Sequence, residues 1–295
     1  MVNIRVPATT ANLGPGFDCL GCALDLYADF TFERMPSGLS ISGCPREYRN
    51  ERNLVYTAFL EASKAWGVSL PGLRLQVDSP IPPSRGLGSS AALIVAGVAA
   101  ASHFSGFGHG REELLQLAAR IEGHPDNVAP AIFGGLCVSV TEGGRVYAAQ
   151  ASVHEDIHFL ALVPDFALAT HAARASLPES ISRQDGVYNA GHAALLMRAL
   201  ETGDFPLLAI AMQDRLHQPY RYPLIPGSRE IATLARENAA DGFCISGAGP
   251  TLLCLYHEKD FPTRMAKAIA HVPGNWQPME LKVDREGLRV TQETR

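Results

Sequence analysis

The chain has no basic block. Lys and Arg number 25 against 30 Asp and Glu, a formal net charge of -5. A nucleic-acid partner needs a clustered basic surface and has no support here. No apolar run is long either. Residues 91–101 are the most apolar stretch, too short to cross a bilayer. The opening MVNIRVPATTANLGPG has no long apolar core, so a signal peptide is not expected and the cytoplasm is. Cysteines are few and scattered, at Cys19, Cys22, Cys44, Cys137, Cys244 and Cys254. The one C-x-x-C, at Cys19 and Cys22, has no second pair, which argues against zinc or redox chemistry and for reduced, buried thiols. Repeats and low-complexity tracts are absent. So are the familiar nucleotide signatures: no Walker A lysine, no completed G-x-G-x-x-G, no H-R-D or D-F-G.

What is present is a globular chain of 295 residues, 46% of them hydrophobic, enough for one large domain or two packed ones. Strands are expected over 3–6, ending at Pro7, and over 24–33, where Leu24, Leu26, Ala28, Phe30 and Phe32 alternate. A helix is expected over 53–66 and a strand around Leu73, Leu75 and Val77. Residues 90–102 read as an alanine-rich helix buried all round, and 111–121 as an amphipathic one. Strands over 136–140 and 146–148 flank a Glu142-Gly143-Gly144 turn. A boundary is placed near 150, dividing the chain into 1–152 and 153–295. Beyond it come a strand at 159–163, helices over 189–201 and 207–215, and an apolar stretch at 241–256 broken by Ser246-Gly247-Ala248-Gly249-Pro250. A helix over 261–270 and a closing strand over 277–283 complete an α+β chain.

The most informative segment is 82–92: Pro82, Pro83, Ser84, Arg85, Gly86, Leu87, Gly88, Ser89, Ser90, Ala91, Ala92. The glycines permit tight turns and close approach, and the serines stand where a helix begins. Backbone N–H groups and the helix dipole there favour an anion, as a triphosphate is. A glycine-bearing turn with a serine cap is the plainer alternative. Elsewhere, Asn12 and Asp18 share a glycine-rich connection, as ligand contacts or as turn and cap residues. Residues 122–127 pack Glu122, His124, Asp126 and Asn127 together. That cluster suits magnesium beside a polar substrate, or merely the end of a helix. Arg174 and Arg221 are candidates for a bidentate carboxylate grip, or for ordinary surface solvation.

The run P-P-S-R-G-L-G-S-S-A-A resembles the ATP loop of the GHMP kinases. V-P-A-T-T-A-N-L-G-P-G-F-D at 6–18 and I-S-G-A-G-P-T at 245–251 match the same family in the same order, and the three motifs span nearly the whole chain. H-P-D-N-V-A-P at 124–130 resembles the homoserine kinases within it, more closely than mevalonate or sugar kinases. The resemblance implies an N-terminal domain like the second domain of ribosomal protein S5 and a ferredoxin-like C-terminal domain. It implies ATP and Mg2+ as cofactors, L-homoserine as acceptor, a step of threonine biosynthesis, and the dimeric state of many relatives. It places ATP phosphates on 82–92 and the metal on Glu122 and Ser90. Asn12, Asp18, His124, Asn127, Thr170, Arg174 and Arg221 then contact the amino acid, with Asp18, Glu122, Arg174 and Arg221 central to catalysis. The 245–251 loop supports the phosphate loop. One departure stands out: only Gly123 separates Glu122 from His124, where many relatives carry a longer insert. A mevalonate-type kinase, or a binding protein that lost catalysis, are the competing readings.

Overall fold

The computed structural model describes residues 1–69 and 72–292. Strand β1 (Val2–Ala11) and β2 (Leu20–Met35) pair antiparallel, Val2 opposite Phe32 and Ala11 opposite Gly21, with a register shift between Pro7 and Ala8. Proline cannot donate to a ladder. The sequence therefore suggested a stop at Pro7, but the chain accommodates it in an irregularity and the strand runs on. This extension carries Thr9, Thr10 and Asn12 towards the centre of the molecule.

Next come β3 (Gly38–Ser42), α1 (Leu54–Ala65) and β4 (Gly72–Asp78), with β3 and β4 parallel. Asn53 caps α1 by accepting the Val55 N–H at 3.0 Å. Helix α2 (Ser89–Ser105) is sheathed in protein, as its lack of charge foretold. Helices α3 (Arg111–Glu122) and α4 (Val128–Phe133) pack beside it, and a Gly143-Gly144 turn joins β5 (Leu136–Glu142) to β6 (Arg145–Ala151).

The second half comprises β7 (His158–Val163), α5 (Thr170–Ala175), α6 (Arg183–Thr202), α7 (Phe205–Ala211), α8 (Gln218–Arg221), α9 (Ser228–Glu237), β8 (Gly242–Ile245), β9 (Leu252–Tyr256), α10 (Phe261–Ile269), β10 (Gln277–Leu281) and β11 (Arg289–Gln292). Strands β10-β7-β9-β8 form an antiparallel sheet in that order. This is the β-α-β-β-α-β ferredoxin-like arrangement. Its central strands are apolar on both faces. Leu160, Leu252 and Cys254 meet α9 and α10 through Ile231, Phe261 and Met265, while Phe159, Leu253 and Leu255 join the larger core with Leu196 and Leu208. Strands buried on both sides show no alternation, which is why 252–256 read as a plain apolar run.

Two further expectations need correction. The helix expected over 207–215 ends at Ala211, because Asp214 turns back to bind the N–H groups of Leu216, His217 and Gln218. The strand over 277–283 is not the closing one. β11 returns to the first sheet, whose order is β11-β1-β2-β4-β3, with β5 also on β2 and β6 on β5. The last described residues thus belong to the sheet of the first half, and residues 293–295 lie outside the described ones. Among the described residues no helix is long and apolar enough to cross a membrane.

Candidate active site

One cleft gathers residues from six separate segments. Asn12 of the 12–18 connection, the 82–92 loop, the 122–127 stretch, α5, Arg221 of α8 and the 247–248 turn all line it. Asn12, Ser84, Arg85, Gly86, Gly88, Ser89, Ser90, Glu122, His124, Asn127, Thr170, Arg174 and Arg221 are brought together there.

The loop is clamped from both sides. Gly86 and Gly88 have φ of 75° and 68°. A β-carbon on Gly86 would lie 2.2 Å from the Ser246 carbonyl oxygen, and one on Gly88 would meet Thr9 Oγ1. The hydroxyls of Ser246 and Thr10 pair at 2.9 Å, and Ser246 Oγ donates to the Gly86 carbonyl at 2.6 Å. The Arg85 guanidinium donates to the carbonyls of Pro83, Pro164 and Asp165 at 3.1, 3.0 and 2.7 Å. Arg85 therefore ties the loop to the second half of the molecule. Replacing Gly86 with alanine is expected to destabilise the protein by about 3 kcal/mol, since left-handed strain adds to a backbone collision. Urea denaturation reads this directly, and unchanged stability would contradict the packing described.

Helix α2 starts behind Gly88 without a side-chain cap, and its first backbone bond runs from Ala92 N–H to the Gly88 carbonyl. The N–H groups of Ser89, Ser90 and Ala91 thus precede the hydrogen-bonded turns, and Ser89 and Ser90 line the cleft. The side chains of Leu87, Ala91 and Ala92 are buried in the core. None of these three lines the cleft, and the Ala92 N–H is already taken by Gly88. Pro82 and Pro83 are outside the cleft lining and set the direction of approach.

Across from α2, Ser90 Oγ donates to Glu122 Oε2 at 2.7 Å. The short spacing to His124 does not displace Glu122, because Gly123 at φ 91° ends α3 and turns the chain at once. Burial pushes the Glu122 carboxyl above its ordinary range, opposed by the Ser90 bond and by His124. His124 Nδ1 sits 2.7 Å from the buried Asp126 carboxylate. Burial works against charge on that ring, but Asp126 outweighs it and the His124 pKa is raised. Among the described residues no three His, Cys, Asp or Glu side chains converge as a metal cage.

The 12–18 connection holds two strained residues, Asn12 at φ 59° and Asp18 at φ 55°. Asn12 Oδ1 accepts the Asp18 N–H at 2.8 Å, so its amide shapes the turn. Thr9 Oγ1 donates to Asn127 Oδ1 at 2.8 Å and joins the turn to the 122–127 stretch. Asp18 receives both arms of Arg174, at 2.9 and 2.6 Å. Arg221 is only 1% exposed; burial and the neighbouring Arg174 lower its pKa to about 10, so it remains charged at neutral pH. Its Nη1 donates to the Gly247 carbonyl at 3.0 Å, while Nε is buried without a partner.

Sequence reasoning did not single out Phe17 or His217. The Phe17 ring lies 5.7 Å from Arg174 and 5.2 Å from Arg221, with His217 stacked at 5.4 Å. Phe17 stands inside the P-G-F-D run, but nothing in spacing alone separates it from a core aromatic. His217 precedes Arg221 by four residues, one turn of a helix too short to be read from periodicity.

Two family models match: GHMP kinases N terminal domain over residues 53–135, and GHMP kinases C terminal over 196–272. A homoserine kinase of Clostridium botulinum is 44% identical over 292 residues, 98% of each chain. One of Clostridium beijerinckii is 40% identical over the full length of both. The crystal structure of homoserine kinase from Cytophaga hutchinsonii superposes with a TM-score of 0.85 at 28% identity, covering 98% of this chain and 97% of that one. The L. major mevalonate kinase solved with R-mevalonate has a TM-score of 0.75 at 18% identity, over 95% of each chain, and shares the fold alone. The two α+β halves are those of the GHMP kinase fold. Matched by both family models and about 40% identical to homoserine kinases over nearly its full length, this chain belongs to the homoserine kinase family of the GHMP kinases.

Proposed function

We propose that the protein transfers the γ-phosphoryl group of ATP to the side-chain hydroxyl of L-homoserine, giving O-phospho-L-homoserine and ADP. The observation that carries this reading is the meeting of an uncapped helix start with two amino-acid-complementary arginines in one cleft, in a chain whose relatives are homoserine kinases over nearly full length. ATP phosphates would rest on the N–H groups of Ser89, Ser90 and Ala91 within the 82–92 loop. GHMP kinases generally use ATP and Mg2+. Here the Ser90–Glu122 pair offers one hydroxyl and one carboxylate, a fit for magnesium, which they would hold. Magnesium held there would neutralise phosphate charge.

The chain's own residues do the rest. The buried Arg221, with a free Nε–H, offers a charged donor to the substrate carboxylate. Arg174 adds a second donor, and Asp18 beside it an acceptor for the ammonium group. Asn12, His124, Asn127 and Thr170 complete the polar lining. Each carboxylate already has a partner, Asp18 in Arg174, Asp126 in His124 and Glu122 in Ser90. Phosphoryl transfer asks mainly for positioning and charge stabilisation, and this lining supplies both without calling on a dedicated base. ADP release assayed with homoserine, serine, mevalonate and galactose tests the reading. Homoserine should give the highest kcat/KM, and no release with homoserine would overturn it.

A further inference from the structure

Arg221 can work only if its guanidinium is held still. Its Nη1 has two partners, the Gly247 carbonyl at 3.0 Å and His217 Nδ1 at 3.2 Å. A guanidinium has donors and no acceptor, so His217 Nδ1 must accept. His217 Nε2 lies 2.8 Å from the Gly14 carbonyl, which accepts only, so Nε2 carries the proton. Both ring positions are thereby determined, and the imidazole is neutral. Full burial of the side chain and the nearby Arg221 charge act in the same direction and outweigh the Asp214 carboxylate, 3.6 Å from Nε2, so the pKa is lowered.

We infer that His217 is a positioning residue that joins the 12–18 substrate connection to Arg221 and so sets the affinity for the amino-acid substrate. The ring spans the two parts of the pocket, with Gly14 on one edge and Arg221 on the other. Phe17 stacks against it and lies under the same guanidinium. The ring is itself secured. Asp214 takes the N–H groups of Leu216, His217 and Gln218 at 2.9, 3.0 and 2.7 Å. Asn189 donates to Asp214 at 2.7 Å and to the Pro15 carbonyl at 3.3 Å. Asn189 thus repeats the same connection, from Gly14's neighbour to the start of α8. Any buried imidazole must satisfy both nitrogens; what marks this one is that its partners are the 12–18 connection and Arg221.

The inference rests on the proposed homoserine reaction and is tested by separating the two ring atoms. Asparagine places an acceptor oxygen where Nδ1 stands and retains the bond to Arg221. Glutamine reaches the Nε2 position and keeps the Gly14 contact but not the acceptor, and alanine keeps neither. His217→Gln and His217→Ala are expected to raise the homoserine KM about tenfold, with the ATP KM and kcat within about twofold of wild type. His217→Asn should stay within about threefold on every parameter. Thermal unfolding of each variant is followed in parallel. Alanine serves as the second acceptor-free variant if glutamine does not fold. Equal losses in all three variants, or an unmoved homoserine KM in folded Gln and Ala variants, would overturn the inference. Wild-type turnover of homoserine in the same assays keeps the two failures apart, since its absence would remove the reaction itself.

Discussion

Replacing Glu122 with glutamine is expected to lower kcat about a thousandfold, a loss of about 4 kcal/mol of transition-state stabilisation. The substitution preserves shape and can still accept the Ser90 hydroxyl, so it removes charge with little change of packing. That charge is costly in the free protein. The Glu122 side chain is 10% exposed and burial raises its pKa. A divalent cation at the proposed Ser90–Glu122 site would reverse this balance by favouring the ionised carboxylate. The variant should also need more magnesium to reach half-maximal rate, while its homoserine KM stays within a few-fold. Steady-state ADP release over a magnesium titration measures all three. A kcat within tenfold of wild type would show that the metal is held elsewhere.

Replacing Arg221 with methionine should raise the homoserine KM about a hundredfold, roughly 2.7 kcal/mol, while the ATP KM stays near wild type. Methionine retains most of the volume, and an apolar replacement at a buried charge leaves no orphaned ion behind. The buried Nε that lacks a partner is the group the substrate carboxylate would satisfy. Arg174 is more exposed and already engaged by Asp18, so its loss should matter less. Homoserine KM measured at saturating ATP decides the point, and an unchanged value would assign the carboxylate to another residue.

The sequence was most legible where local chemistry governed the structure. Asn53 capping α1, the uncharged α2 and the paired glycines between β5 and β6 depend on neighbours in the chain. Legibility failed where a distant partner decided. Pro7 marks a strand end by its missing donor, yet pairing with β2 carries β1 past it to Ala11, while β11 stops at Arg5. The early end of α7 depends on Asp214 finding backbone donors and Asn189. β11 gains its identity from β1, nearly the whole chain away.

The site follows the same division. The 82–92 loop was readable because glycines, serines and a following helix occur in one run. The Asp18–Arg174 pair joins residues 156 positions apart, and no spacing rule predicts it. At the short Glu122–His124 spacing, the left-handed Gly123 leaves Glu122 against Ser90 and His124 against Asp126.

The most direct test of the central claim is to identify the product. The protein is incubated with ATP, magnesium and L-homoserine, and phosphorus NMR follows the transferred group. The account predicts one new phosphomonoester on the side-chain oxygen of homoserine for each ADP formed. ATP consumed without that ester, or no consumption with homoserine, would contradict it.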